Sequence, residues 1–241
     1  MSKQALENQE HRPIHILSRS KSWTLWEAWV AATAIAEFVG LGIVLIASTT
    51  LNLLGTTEIV AVLHLVGLLQ GIILGFAQWL VLRRYIKHIG KWIAMTAIAA
   101  SIAWLIGIKA SAIISFFLIL DHTGTVEVKT LALARAVLLL GAWVGSVLGL
   151  AQWLVLREHI RRAGWWIFAN AIAWAFGLLV AYAGTTFMTI DRFNLATALA
   201  AAATGLTVGA VVGGITGIAL LWLLKPRLLR HAAKPASRKS P

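Results

Sequence analysis

The chain has no cysteine in its 241 residues. That excludes disulfides, thiolate metal sites, iron–sulfur clusters and a cysteine nucleophile, and it leaves the redox compartment unread. Proline is scarce, and Pro13, Pro226, Pro235 and Pro241 all lie outside the apolar runs or at their ends. Charge is scarce as well: 12% of residues are charged, against roughly 25% in soluble domains. Acidic residues are the rarest, with 9 Asp and Glu facing 21 Lys and Arg. No Walker loop, His-Glu-x-x-His zinc motif or nucleophile elbow occurs. His11 and His15 are four apart, but Pro13 between them breaks a helical metal pair. Catalytic, cofactor and metal residues are therefore not assigned, and an enzyme is not expected.

What is abundant is apolar. Hydrophobic residues make up 59% of the chain and the mean hydropathy is +0.83, a membrane composition. Crossing a hydrocarbon core of about 30 Å takes roughly 20 mainly apolar residues. Six segments meet this, near 23–48, 57–82, 92–119, 129–156, 165–184 and 193–224. The polar start, with His11, Arg12, His15, Arg19 and Lys21, does not suit a cleaved signal.

Nearly all Lys and Arg fall in the N-terminal tail, the 83–91 and 157–164 linkers and the C-terminal tail. Only Lys109, Lys129, Arg135 and Arg192 lie elsewhere. Basic segments stay in the cytoplasm, so a membrane protein with both termini cytoplasmic is expected. Trp23, Trp26, Trp79, Trp92, Trp153, Trp165, Trp166 and Trp222 lie near the same basic segments and read as an interfacial belt.

A repeat organises the chain. Gly67, Gly71 and Gly75 lead into Gln78-Trp79-Leu80-Val81-Leu82-Arg83, and Gly141, Gly145 and Gly149 lead into Gln152-Trp153-Leu154-Val155-Leu156-Arg157. A third copy has Gly205, Gly209, Gly213 and Gly217, with Leu220 and Leu221 set against Gln-Trp, then Trp222 and Lys225. The first helices repeat too: Trp29 to Gly40 aligns on Trp166 to Gly177 without a gap, and Trp92 to Gly107 aligns with four extra residues. The expected fold is an all-α bundle of six spans in three parallel hairpins, about 23–90, 91–163 and 164–224. A basic N-terminal tail (1–22) and a disordered basic C-terminal tail (225–241) flank the membrane domain (23–224).

Glycine at every fourth position gives a smooth face on which helix backbones approach each other. Gln78 and Gln152 share that face and suit interhelical hydrogen bonds. The glycine, Gln-Trp-Leu-Val-Leu-Arg and Gly-Trp-Trp series resembles a family of multi-span membrane proteins of bacteria, cyanobacteria especially. The resemblance spans roughly residues 65–225 and implies a polytopic protein of a bacterial inner or thylakoid membrane, with no particular activity. Mitochondrial carriers, also built of three two-span repeats, differ in carrying proline and a charged pair in each odd helix.

Ionisable residues inside a membrane cost about 2.5–3.5 kcal/mol at its centre and so are functional candidates. At about 1.5 Å per residue, Glu37 lies about 20 Å from the cytoplasmic edge, His64 and Lys109 about 27 Å, and Arg135 beyond 30 Å. Arg135 and Lys109 can snorkel outward. Glu37 breaks the repeat where Trp104 and Trp174 stand, and it either pairs with Lys109 or His64 or stays protonated. Two functions follow from this. One is a non-catalytic role in scaffolding, complex assembly or lipid interaction; the other is a small-solute or proton-coupled transporter using Glu37, His64 and Lys109. A pigment site at His64 is a weaker third. Arg83, Arg84, Lys87, Arg157, Arg161 and Arg162 are expected to touch anionic lipid. A membrane-protein partner or a second copy would fit, and nucleic acid is not expected.

Overall fold

The computed structural model describes residues 14–54, 59–120, 125–188 and 194–232. Among them the chain is helical without strands: α1 (Ile14–Leu54), α2 (Ile59–Leu82), α3 (Lys91–Leu120), α4 (Val126–Leu156), α5 (Trp165–Thr185) and α6 (Leu195–Ala232). Five of the helices are long and apolar enough to cross a membrane, and α3 contributes the shorter apolar stretch Lys91–Gly107. Helix α1 begins at Ile14, within the expected N-terminal tail. Helix α6 runs through Lys225 and Pro226 to Ala232, so the first part of the stretch expected to be disordered is helical. Many exposed side chains along the helices are large and apolar, among them Leu139, Trp143 and Ile218, as suits a lipid-facing surface.

Each helix packs on its neighbours in the chain, and α6 returns to α1, so the six close into a ring. The tightest pairs are α2 with α3, α4 with α5 and α6 with α1. These are the glycine faces. A Cβ at Gly71 would lie 2.6 Å from Ala97 Cα; one at Gly145 would strike the Asn170 carbonyl, and one at Gly209 would strike Ala34 Cα. Each stripe thus joins an even helix to the odd helix that follows it, and the third closes the ring on α1.

The glycine contacts also set the register. A Cβ at Gly75, Gly149 or Gly213 would lie 3.0, 2.9 or 3.0 Å from the Cα of Ile93, Ile167 or Val30. With these matched, Trp29, Trp92 and Trp166 correspond without the four-residue insertion expected in the middle copy. The counterpart of Gln78 and Gln152 becomes Thr216, and Leu220 corresponds to Leu82 and Leu156, all three fully buried. The counterparts of Glu37 become Ala100 and Trp174. Trp104 falls one turn further on, level with Leu41 and Leu178. The offset arose because tryptophans were matched by identity, whereas the glycine contacts are what fix one helix against the next.

If the stripes are held by backbone approach, Gly145→Ala should lower stability by about 1–3 kcal/mol through overpacking. Gly214, whose Cβ would meet nothing within 4 Å, supplies the control. Gly214→Ala should be neutral or stabilising by up to about 1 kcal/mol from helix propensity. Thermal unfolding of both variants in detergent checks the contrast.

Candidate functional site: a cavity inside the ring

At the end of the ring carrying Arg83 and Arg157, the inward positions of the three repeats meet. Trp29, Trp92 and Trp166 are fully buried, with ring centroids 5.8–6.3 Å apart in edge-to-face arrangements. This geometry sets the positive edge of one ring on the negative face of the next. Burial would orphan the indole N–H groups, but each has an acceptor one helix away. Trp29 donates to Thr216 Oγ1 at 2.9 Å, Trp92 to Gln78 Oε1 at 3.3 Å and Trp166 to Gln152 Oε1 at 2.9 Å. Gln152 Nε2 also donates to Gln78 Oε1 at 3.2 Å and Thr96 Oγ1 at 3.1 Å, tying α4 to α2 and α3. Leu82, Leu156, Leu220, Ile86, Ile160 and Leu224 pack with the indoles and fill that end. Trp92 and Trp166 are therefore core residues, not the headgroup-level belt expected for them. Trp23 and Trp165 do remain exposed.

On the other side of this layer the ring is not filled. A cavity of about 530 Å³ is walled by all six helices, from Leu74 and Leu148 outward to Gly107 and Ala181. Most of the wall is aliphatic. Its polar part comes from Glu37, Gln70 and Trp104, and these three are bonded in a chain. Trp104 Nε1 donates to Gln70 Oε1 at 2.9 Å, and Gln70 Nε2 donates to Glu37 Oε2 at 2.9 Å. Glu37 is 2% exposed, and its Oε1 has no hydrogen-bond partner among the described residues. Gly40 makes the arrangement possible, because a Cβ there would lie 2.9 Å from Gln70 Cγ.

All three members depart from the repeat. Ala100 and Trp174 stand opposite Glu37, Val144 and Val208 opposite Gln70, and Leu41 and Leu178 opposite Trp104. The polar group is thus a single insertion in an otherwise threefold apolar wall.

Of the expected cluster, only Glu37 lines this cavity. His64 is half-buried with Nδ1 3.1 Å from Ser101 Oγ, and Lys109 and Arg135 are exposed. No ion pair or hydrogen bond joins Glu37 to His64 or Lys109 among the described residues. Nor do three His, Asp or Glu side chains gather there as metal ligands. Gln70 and Trp104 as partners of Glu37 escaped the sequence reading. The available signal was an amide between Gly67 and Gly71 in an apolar run, with no counterpart in the other copies.

No family model, curated protein or solved structure matches the chain.

At the filled end, the Arg83 guanidinium lies 4.8 Å from the Trp79 ring centroid and that of Arg157 lies 5.0 Å from Trp153, equivalent places in two repeats. Arg162 lies 5.9 Å from Trp222. Arg84, Lys87 and Arg161 are exposed beside them. Lys91 and Glu158 form an ion pair at 3.6 Å between the two linkers; being exposed, it adds little stability.

Gln152→Leu should cost about 1–3 kcal/mol, because it orphans the buried Trp166 N–H and removes a donor to Thr96. Combined with Trp166→Phe, the two losses should fall short of additive by more than about 0.5 kcal/mol. A double-mutant cycle on thermal unfolding measures the coupling.

Proposed function

We propose that the chain is a six-span integral membrane protein of three hairpin repeats with both termini cytoplasmic, and that it binds rather than catalyses. Its basic end engages anionic headgroups, and its body serves as a scaffold for a membrane-protein partner or a second copy. The observation that carries this reading is the filled end. Three interlocked indoles with satisfied N–H groups and rows of buried Leu and Ile pack that end of the ring with apolar side chains, which suits a scaffold better than a conducting protein. The arginines stacked on Trp79 and Trp153 support the lipid contact, because a ring-held guanidinium at the headgroup level keeps its N–H groups free for phosphate.

A second reading, a proton-coupled or small-solute transporter, is favoured by one observation: the buried carboxyl of Glu37 on the wall of a cavity. Transport would require the indole layer to open. The expectation of a Glu37, His64 and Lys109 relay finds no contact among those three residues to build on.

Proteoliposomes separate the two readings. Proton or solute flux above that of protein-free vesicles is not expected; flux abolished by Glu37→Gln would replace the scaffold reading with transport. For the basic end, added phosphatidylglycerol should raise the thermal midpoint in detergent, whereas phosphatidylcholine should not. Arg83→Gln with Arg157→Gln should weaken that response by up to about 1 kcal/mol per charge removed. An unchanged response would remove these residues as the lipid contact.

A further inference from the structure

The cavity wall includes Glu37, whose Oε1 is buried behind the surface with no partner among the described residues. The cavity's volume, about 530 Å³, falls within the roughly 300–1,000 Å³ of small-molecule sites. Such sites pair an apolar lining with a few placed polar groups, and this one has an aliphatic wall and a single polar chain. The direction of that chain decides what it lacks. Gln70 spends its carbonyl on Trp104 and an N–H on Glu37 Oε2, so the amide's orientation is set and the carboxyl is tethered through Oε2 alone. Glu37 Oε1 is left buried without a partner, with no cation bonded to it among the described residues. A buried polar oxygen in this state costs free energy until a donor reaches it.

We propose that the cavity is a binding site for a lipid-soluble molecule with an apolar body and one terminal hydrogen-bond donor, an amine or a hydroxyl, which bonds to the Glu37 carboxyl once that group turns Oε1 from its buried position toward the cavity. The body lies against Leu74, Val144, Leu148 and Val208 and stops at the layer of Gln78 and Gln152. The repeat explains why the site is single. Aliphatic or indole side chains occupy the two equivalent positions of each polar member, so one ligand orientation is favoured over the other two. Neither the lipid contact of the basic end nor the scaffold role is required for this site.

The test uses the intact protein in phosphatidylcholine nanodiscs. The probe is a decylamine with a diazirine on its tail, and the competitors are decylamine, decanol and decyl methyl ether. Crosslinks should map to residues 70–74 and 144–148, and the amine or the alcohol should compete at least about tenfold better than the ether, the value of one hydrogen bond to a buried acid. An advantage confined to the amine identifies an ammonium ligand; equal competition by amine and alcohol identifies a hydroxyl ligand as sufficient. Glu37→Leu should remove the advantage of the donor. Val144→Phe, which leaves Glu37 in place, should block crosslinking by filling the cavity. Equal competition by all three compounds in the unaltered protein, or crosslinks confined to lipid-facing residues such as Leu139, would overturn the proposal without bearing on the basic end.

Discussion

The architecture depends on how closely helix backbones approach at the glycine stripes. In a hydrocarbon surrounding, apolar side chains gain nothing by leaving lipid for one another, so association rests on packing and interhelical hydrogen bonds. Glycine faces supply the packing. At Gly71, Gly145 and Gly209 the neighbouring main chain occupies the place a Cβ would take. Because each stripe faces the odd helix of the next repeat, successive copies are chained together and the third is brought back to the first. Ring closure rests on these three contacts together with the packing of α1 on α2, α3 on α4 and α5 on α6.

Closure turns sequence repetition into a layered interior. Positions that are far apart in the chain but equivalent in the repeat arrive at the same level, facing one another. Where the repeat keeps a large aromatic, as at Trp29, Trp92 and Trp166, three rings fill the ring's interior and satisfy their polar edges on the glutamine and threonine positions of the even helices. Two turns further along the odd helices the repeat holds Glu37, Ala100 and Trp174, and the space is not filled. Filled end and cavity are two outcomes of one symmetry, the first where it is kept and the second where it is broken.

Much of this is legible in the sequence alone. The apolar runs, the glycine spacing and the bias of Lys and Arg are local properties, and each has a direct physical meaning in a bilayer. Glu37 stood out as a departure from the repeat and does lie at the cavity wall. The sequence left it either a pairing with Lys109 or His64 or a protonated state; the partner that reaches the carboxyl is a neutral amide, Gln70. The tryptophans near the basic segments were read as one belt, yet composition cannot tell an indole facing lipid from one facing the ring interior. That difference is a matter of which side of the helix faces the glycine of another repeat.

By itself, the sequence determined that the chain is helical and apolar enough for a membrane, that its glycine and tryptophan spacings recur, and where those spacings differ, since hydropathy and spacing are read along one strand of chain. Only the tertiary structure decided that the stripes link successive repeats, that Trp29, Trp92 and Trp166 share one layer, and that Glu37, Gln70 and Trp104 form one polar chain at a cavity. These are relations among residues on different helices. They exist only once backbone contact at the glycines has set the register of one helix against another.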